Sequence, residues 1–187
     1  MIAAANTVFV VDDDPSILKA LERLLRGAGF EVQSFLSSQA FLEQHDPAIP
    51  GCAILDVAID GLNGLELQQA LATSGCDRPI VFLTGRGDIP MSVRAMRAGA
   101  VNFLTKPFEV KDLLAAVRFA IDKDCAGRQA HKELGAIERR LAALTPRESE
   151  VLRHVIAGRL NKQIAAELGT AEKTIKVHRA GSWRRWA

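Results

Sequence analysis

The chain reads as an α/β protein built on a parallel five-stranded sheet, followed by a small all-α domain. Three observations predict this. Short apolar runs alternate strictly with amphipathic helical patterns from Thr7 to about Asp122. The runs are rich in Val, Ile, Leu and Phe with little polar interruption, as expected of strands covered on both faces. After Leu144 only helical spacing remains.

Thr7-Val8-Phe9-Val10-Val11 is the first strand, and Asp12-Asp13-Asp14 closes it. Pro15 suits a first helical position with Asp14 as N-cap, and Ile17, Leu18, Leu21, Leu24 and Leu25 keep helical spacing up to Gly27 and Gly29. Phe30 to Phe35 alternates as a second strand, and Ser37 to Gln44 reads as a short helix. Gly51-Cys52-Ala53-Ile54-Leu55-Asp56 is the run around which the rest is arranged, an apolar strand ending in a carboxylate. Asp60, Gly61, Asn63 and Gly64 follow as turn and cap material, before a helix carrying Leu65, Leu67, Ala70 and Leu71. Pro79 to Thr84 is the fourth strand, closed by Gly85 and Gly87, and Val93, Met96 and Ala100 line the next helix, which breaks at Gly99. Val101 to Thr105 is the fifth strand, ended by Lys106-Pro107, and Leu113, Leu114, Val117, Phe119 and Ile121 mark the last helix. Strand-helix alternation of this kind implies right-handed crossovers in an open sheet. At this length the flavodoxin-like order 2-1-3-4-5 is the economical arrangement.

The 187 residues accommodate one full domain and a smaller one, and 48% hydrophobic content is ordinary for a chain with a real core. The net charge of +2 hides an asymmetry. Residues 1–123 carry 11 Lys and Arg against 15 Asp and Glu, a net −4; residues 124–187 carry 13 against 7, a net +6. An acidic front and a basic tail point to a polyanionic partner for the tail. Cys52, Cys76 and Cys125 are odd in number and widely spaced, which excludes a disulfide framework or a Cys-pair zinc site and fits a reducing cytoplasm. The first basic residue is Lys19, unlike a signal peptide, and no apolar run is long enough for a bilayer. A cytoplasmic protein without membrane contact is expected.

In a parallel sheet every strand's carboxyl end lies on one edge, where ligands collect. Asp12, Asp13, Asp56, Thr84 and Lys106 therefore converge from four strands. Each alone has a plain explanation as a turn acid, a satisfied hydroxyl or a surface lysine. Together they crowd three carboxylates around one point, which is costly without a cation among them. Oxygen ligands, water and a phosphate suit Mg²⁺ better than Ca²⁺. Such a site suits phosphoryl transfer, with Asp56 as the nucleophile that becomes an acyl phosphate. Lys106 would neutralise phosphoryl oxygens and the Thr84 hydroxyl would bond one of them.

These residues resemble the receiver domains of two-component response regulators over about Thr7 to Asp122. The resemblance implies that Asp56 accepts phosphate from a sensor histidine kinase. It implies that Asp12, Asp13 and Asp56 hold Mg²⁺ with the backbone carbonyl of Ala58, and that Lys106-Pro107 is cis. Thr84 and Phe103 then occupy the switch positions, although Phe103 also reads as an ordinary core residue. Homodimerisation on the face of the fourth helix, fifth strand and fifth helix is the implied response. One departure stands out: Ile59-Asp60 replaces the family's Met-Pro, adding negative charge near the metal loop.

Residues 124–143 have a thin apolar stripe (Leu134, Ile137, Leu141) and read as a partly helical linker between a receiver at 1–123 and a tail domain at 144–187. In the tail, Thr145, Pro146 and Glu148 form a helix start with a capping box, and Val151, Leu152, Val155 and Ile156 make its apolar stripe up to Gly158. Asn161 to Leu168 is a second helix with Ile164, Ala165 and Leu168 inward, and a third begins near Ala171. Helix, short turn and basic helix read as a helix-turn-helix.

Leu144 to Arg179 resembles the LuxR-type output domain of NarL/FixJ-type regulators, which implies promoter DNA as partner. By that resemblance Ile175 and His178 face the core, Lys176 and Val177 reach base edges, and Asn161, Lys162, Lys173, Thr174 and Arg179 lie nearer phosphates. Ala171 stands where the family has a Ser cap, so Thr170 is the candidate substitute. After Ala180 the amphipathic pattern stops, and the domain reads as incomplete at its C-terminus, the final helix being lost, so impaired DNA binding by this chain is expected. Gly-Ser-Trp-Arg-Arg-Trp can be encoded so that a one-base shift yields Val-Met-Glu-Lys-Met, a fitting continuation of the helix, so a frameshift in the gene is the expected origin.

Two rivals stay open. Asp12-x-Asp14-x-Ser16 loosely fits a haloacid-dehalogenase-type phosphatase, but no strand with a further acidic pair follows Lys106, and Asp56 would have no role. A receiver acting through protein contacts alone, with an idle tail, is the other. The leading expectation is a phosphorylation-dependent transcriptional regulator and not an enzyme.

Overall fold

Five parallel strands lie in the order β2-β1-β3-β4-β5, with β1 Thr7–Val11, β2 Glu31–Phe35, β3 Gly51–Leu55, β4 Ile80–Thr84 and β5 Asn102–Thr105. The computed structural model describes residues 6–59, 61–85 and 89–186, with side chains as far as Ala180. The expected strand order is the observed one. β1, β3 and β4 are buried at every residue, which is why their sequences do not alternate. Val8, Val10, Cys52, Ile54, Val81 and Leu83 point to one face of the sheet, and Phe9, Val11, Ala53, Leu55 and Phe82 to the other.

Helices α1 Pro15–Gly27 and α5 Val110–Ala142 cover the first face, with Leu18, Leu21, Leu25, Leu113, Val117 and Ile121 buried. Helices α2 Ser38–Gln44, α3 Gly64–Thr73 and α4 Ile89–Arg97 cover the second, through Phe41, Leu67, Leu71 and Ala95. Asp14 caps α1 by accepting the Ser16 N–H, Pro15 is the first helical residue, and Asn63 caps α3 in a box with Glu66. Gly64 is required where it is. A β-carbon there would lie 2.3 Å from the carbonyl oxygen of Asp56, so only glycine lets the start of α3 close over the end of β3.

Three expectations need correction. Val93 and Met96 do not line the interior side of α4; they are 42% and 46% exposed, and the small Ala95 makes the buried contact. Ile156 is likewise 76% exposed, so the stripe of its helix is narrower than its sequence suggests. The expected partly helical linker is an unbroken continuation of α5 through Ala142, 33 residues in all. Ala, Lys, Arg, Glu and Leu dominate that stretch, and their propensity carries the helix past Gly127 and Gly135.

One further contact ties α3 to α4. The buried amide of Gln68 donates from Nε2 to the carbonyls of Ala95 (3.3 Å) and Ala98 (3.1 Å), at the C-terminal end of α4.

The chain divides into compact units at residues 1–128 and 129–187. The second unit contains α6 Pro146–Ile156, α7 Asn161–Glu167 and α8 Glu172–Trp186. Its core is small: Val151, Ile164, Ala165 and Ile175, flanked by Val155 and Leu168. Thr145 and Glu148 make the expected capping box on α6. Arg147 donates to the carbonyl of Leu168, and Glu167 pairs with Arg159, tying the ends of α7 to its neighbours. α8 does not stop at Ala180: its backbone continues helical to Trp186. The altered apolar pattern therefore did not end the helix, because none of residues 181–186 except Gly181 opposes helical geometry strongly.

Candidate functional site

The carboxyl ends of β1, β3, β4 and β5 bring the expected residues to one place. Asp12, Asp13 and Asp56 offer carboxylate oxygens all within 4.8 Å of one another. Asp12 and Asp56 are buried and Asp13 is exposed. Lys106, held by a backbone bond from its N–H to the Thr84 carbonyl (2.8 Å), reaches Asp12 Oδ2 at 2.7 Å and Asp56 Oδ1 at 3.9 Å. The Lys106-Pro107 peptide is cis, as expected. Thr84 is fully buried at the end of β4.

Backbone amides frame the acids. The Asp14 N–H donates to Asp12 Oδ1 (3.0 Å) and the Val57 N–H to Asp56 Oδ1 (2.9 Å). Burial pushes the Asp56 carboxyl above the usual range. Lys106 opposes that shift, Asp12 adds to it, and the N–H groups of Val57 and Ala58 oppose it again. Three carboxylates and one ammonium in so small a space leave room in the charge balance for a cation. An oxygen-only donor set suits a hard divalent one. Ala58 is exposed in the loop after β3, and Ile59 is buried beneath it. Asp60, expected to add charge here, lies outside the described residues, as does Gly87.

Phe103 is half-buried. Its ring packs 6.1 Å from that of Phe82, tilted by 45°, and it borders the core on the α3–α4 side of the sheet. Both readings of Phe103 thus keep their physical basis, since the ring is neither buried in the core nor loose.

In the second unit Ile175 is fully buried and His178 half-buried, as the spacing predicts. Lys173, Lys176, Val177 and Ala180 are exposed on α8, and Lys162 is exposed on α7. Lys176 lies 3.4 Å from Glu172, one turn back. Thr174 is half-buried. Asn161 and Arg179 bond to each other, Arg179 Nη1 donating to Asn161 Oδ1. That pair joins the start of α7 to α8. The carbonyl of Ala171 accepts the first bonds of α8, from Thr174 and Ile175, so Ala171 and not Thr170 takes the cap position. Trp183 and Trp186 have side chains outside the described residues.

A polar network that apolar periodicity does not reveal lies at the opposite sheet edge. Buried Asp124 accepts from the Gly51 N–H (2.9 Å) and from Arg128 Nε (2.7 Å). Arg128 then donates to the carbonyls of Pro47, Ala48 and Ile49, and Arg78 to those of Asp46 and Ile49. The i,i+4 spacing of Asp124 and Arg128 was the available signal.

A parallel sheet with an acid cluster and a lysine at its carboxyl edge, joined to a helix-turn-helix unit, defines a signal receiver coupled to a DNA-binding output. Comparison with known proteins gives the particular family. Residues 8–118 match the response regulator receiver domain, and residues 142–185 match the bacterial regulatory proteins of the luxR family. Nodulation protein W of Bradyrhizobium diazoefficiens is 45% identical over 172 residues, covering 92% of this chain and 76% of that protein. The response regulator protein TodT of Pseudomonas putida is 40% identical over 181 residues, covering 97% and 80%. The solved structure of the response regulator StyR aligns with a TM-score of 0.89 at 48% identity, covering 97% of this chain and 92% of that one. The chain belongs to the response regulators, with a receiver followed by a LuxR-type DNA-binding domain, and it serves two-component transcriptional regulation. Proteins of this family are generally not enzymes, and their receivers generally bind Mg²⁺ at the acidic pocket. Their architecture implies a sensor kinase and DNA as partners. No described helix is long and apolar enough to cross a membrane.

Proposed function

We propose that Asp56 is the phosphoacceptor of this regulator and that its phosphorylation controls pairing and DNA binding. The observation that carries this reading is the convergence of Asp12, Asp13, Asp56 and Lys106 from three strand ends, with ligand oxygens within 4.8 Å. Asp56 Oδ attacks the phosphorus of a kinase phosphohistidine; the P–N bond breaks and an acyl phosphate forms. Asp12, Asp13 and Asp56 would hold Mg²⁺, with the Ala58 carbonyl as a further ligand, and the ion supplies charge neutralisation for the phosphoryl oxygens. Lys106 supplies the ammonium that answers the incoming charge, at the cost of its bond to Asp12. The Thr84 hydroxyl accepts the role of bonding a phosphoryl oxygen, and Phe103 on the neighbouring strand carries the change toward α4 and α5.

Exposed apolar side chains on those helices, Ile89, Val93, Met96 and Phe119, support homodimerisation on the α4–β5–α5 face. The receiver extends to residue 128, the remainder of α5 connects it, and residues 144–187 bind DNA, in the cytoplasm. Lys176 and Val177 are read as base contacts, with Lys162, Lys173, Thr174, Asn161 and Arg179 toward phosphates. Their exposure on α8 and α7, with Ile175 buried behind, supports that assignment for Lys173, Lys176, Val177 and Lys162. The Asn161–Arg179 pair would orient both groups together.

Titration calorimetry should show Mg²⁺ binding that Asp13→Ala eliminates, because Asp13 is the exposed third carboxylate of the cluster. Unchanged binding in that variant would move the metal elsewhere. For the output, duplexes selected from a random pool by the acetyl-phosphate-treated protein should bind it more tightly than they bind untreated protein in a gel shift. Lys176→Ala should cost such a duplex about 1–3 kcal/mol and relax its sequence preference. A uniform, purely salt-dependent loss would make Lys176 a phosphate contact instead.

A further inference from the structure

We propose that Cys76 and His45 form a thiol-modification site at the sheet edge opposite the acid cluster, with a small peroxide as its substrate class. Cys76 follows α3 and His45 follows α2, and both line an open cleft of about 360 Å³ with Leu42, Pro47 and Ala70. Cys76 Sγ lies 3.8 Å from His45 Nε2. The tautomer follows from the other nitrogen: His45 Nδ1 is 3.0 Å from the Phe41 carbonyl, which only accepts, so Nδ1 carries the proton. In the neutral ring the Nε2 lone pair is therefore the one directed at the thiol.

The surroundings keep it so. The His45 ring stacks on Phe41 at 4.3 Å and meets Phe9 edge-on at 6.4 Å, which fixes its plane. Burial holds the imidazole below its usual range. The bond to Phe41 opposes that, the Arg78 charge adds to it, and Asp46 opposes it. Arg78 is 5% exposed, stacks over Phe9 at 4.1 Å and leaves Nε without a partner among the described residues. Its charge acts on His45 from the core side, beside Phe9. A ring-nitrogen lone pair directed at a thiol on the wall of an open cleft makes a reactive arrangement. The other two cysteines lack it: burial pushes the Cys52 thiol up to about 12, and Cys125 is exposed on α5.

In the step itself, Cys76 Sγ attacks one peroxide oxygen and the O–O bond breaks. Sulfur is oxidised to a sulfenic acid while the peroxide is reduced. The thiol proton passes by way of His45 Nε2 to the departing hydroxide, releasing water. This reading is independent of Asp56.

The test treats the full chain with hydrogen peroxide at neutral pH, traps sulfenic acids with dimedone and follows each cysteine by mass spectrometry. Cys76 should be trapped about ten times faster than Cys125, with Cys52 silent. His45→Gln should bring the Cys76 rate down to that of Cys125 and leave Cys125 unchanged, while phosphorylation by acetyl phosphate persists. Equal rates at Cys76 and Cys125 in the unaltered protein overturn the proposal, whatever the variant does. So does a Cys76 rate that survives His45→Gln, or one that is no slower in urea-unfolded chain.

Discussion

Asp56→Asn should reduce phosphoryl incorporation from acetyl phosphate and Mg²⁺ to background, and should at the same time stabilise the metal-free protein at neutral pH. The first effect follows from the nucleophile: an amide oxygen in the same position lacks the charge that attacks phosphorus. The second follows from burial. The Asp56 carboxyl sits above its ordinary range because burial disfavours its charge, with Asp12 adding to the effect. The folded state therefore binds this proton more tightly than the unfolded chain. The contribution of Asp56 to stability is full at low pH. It is lost as pH rises from the unfolded carboxylate range through the raised folded value. At pH 7 the ionised group opposes folding unless a cation answers it, and asparagine removes that opposition. Asp14→Asn is the control, since Asp14 caps α1 and takes no part in the cluster. Mass spectrometry for the label and circular dichroism for the melt decide the matter. Full labelling of the Asp56→Asn protein would sink the assignment, and a lowered melting temperature in it would refute the electrostatic argument.

Asp124→Ala should destabilise the receiver by about 3 kcal/mol, because removing one partner of a buried charge pair leaves the rest uncompensated. Asp124 is 7% exposed and accepts both the Gly51 N–H at the start of β3 and the Arg128 guanidinium. Its loss strands a buried amide and frees the side chain that holds three carbonyls of the loop before β3. At this domain size the shift corresponds to a melting temperature lower by about 10 °C. Asp124→Asn keeps an acceptor for Gly51 and should fall in between. Circular dichroism is the suitable probe, because both tryptophans, Trp183 and Trp186, lie in the tail. A shift of under ~2 °C for the alanine variant would mean that the network contributes nothing beyond solvated alternatives.

The acid site was legible in the sequence because a parallel sheet turns strand ends into neighbours: once Asp12, Asp56, Thr84 and Lys106 are placed at the ends of runs, topology brings them together. The strand order was legible for the same reason, through alternation and the length of the connections. What escaped was whatever depends on side-chain direction. Val93 and Met96 have the spacing of a buried face, yet Ala95 is the residue that packs. The Asp124–Arg128 pair looked like linker charge until the helix was seen to continue through it. Arg179 and Asn161 read separately as phosphate contacts, and nothing in their spacing shows that they bond to each other. Periodicity finds faces, and it cannot say which of two polar groups 18 positions apart will meet.

The bond from Gln68 to α4 has a dynamic consequence. Two carbonyls at one end of that helix, on Ala95 and Ala98, are held by a side chain rooted in α3. At the other end Ile89 is 80% exposed. A helix pinned by two hydrogen bonds at one end and, among the described residues, touching the core near the other only through the partly buried Met91 swings about the pinned end. Displacement of α4 on the microsecond to millisecond scale should then grow from Arg97 back toward Ile89. Relaxation dispersion of the backbone amides would read it as exchange broadening graded along the helix, and Gln68→Ala would flatten that gradient by releasing the pivot.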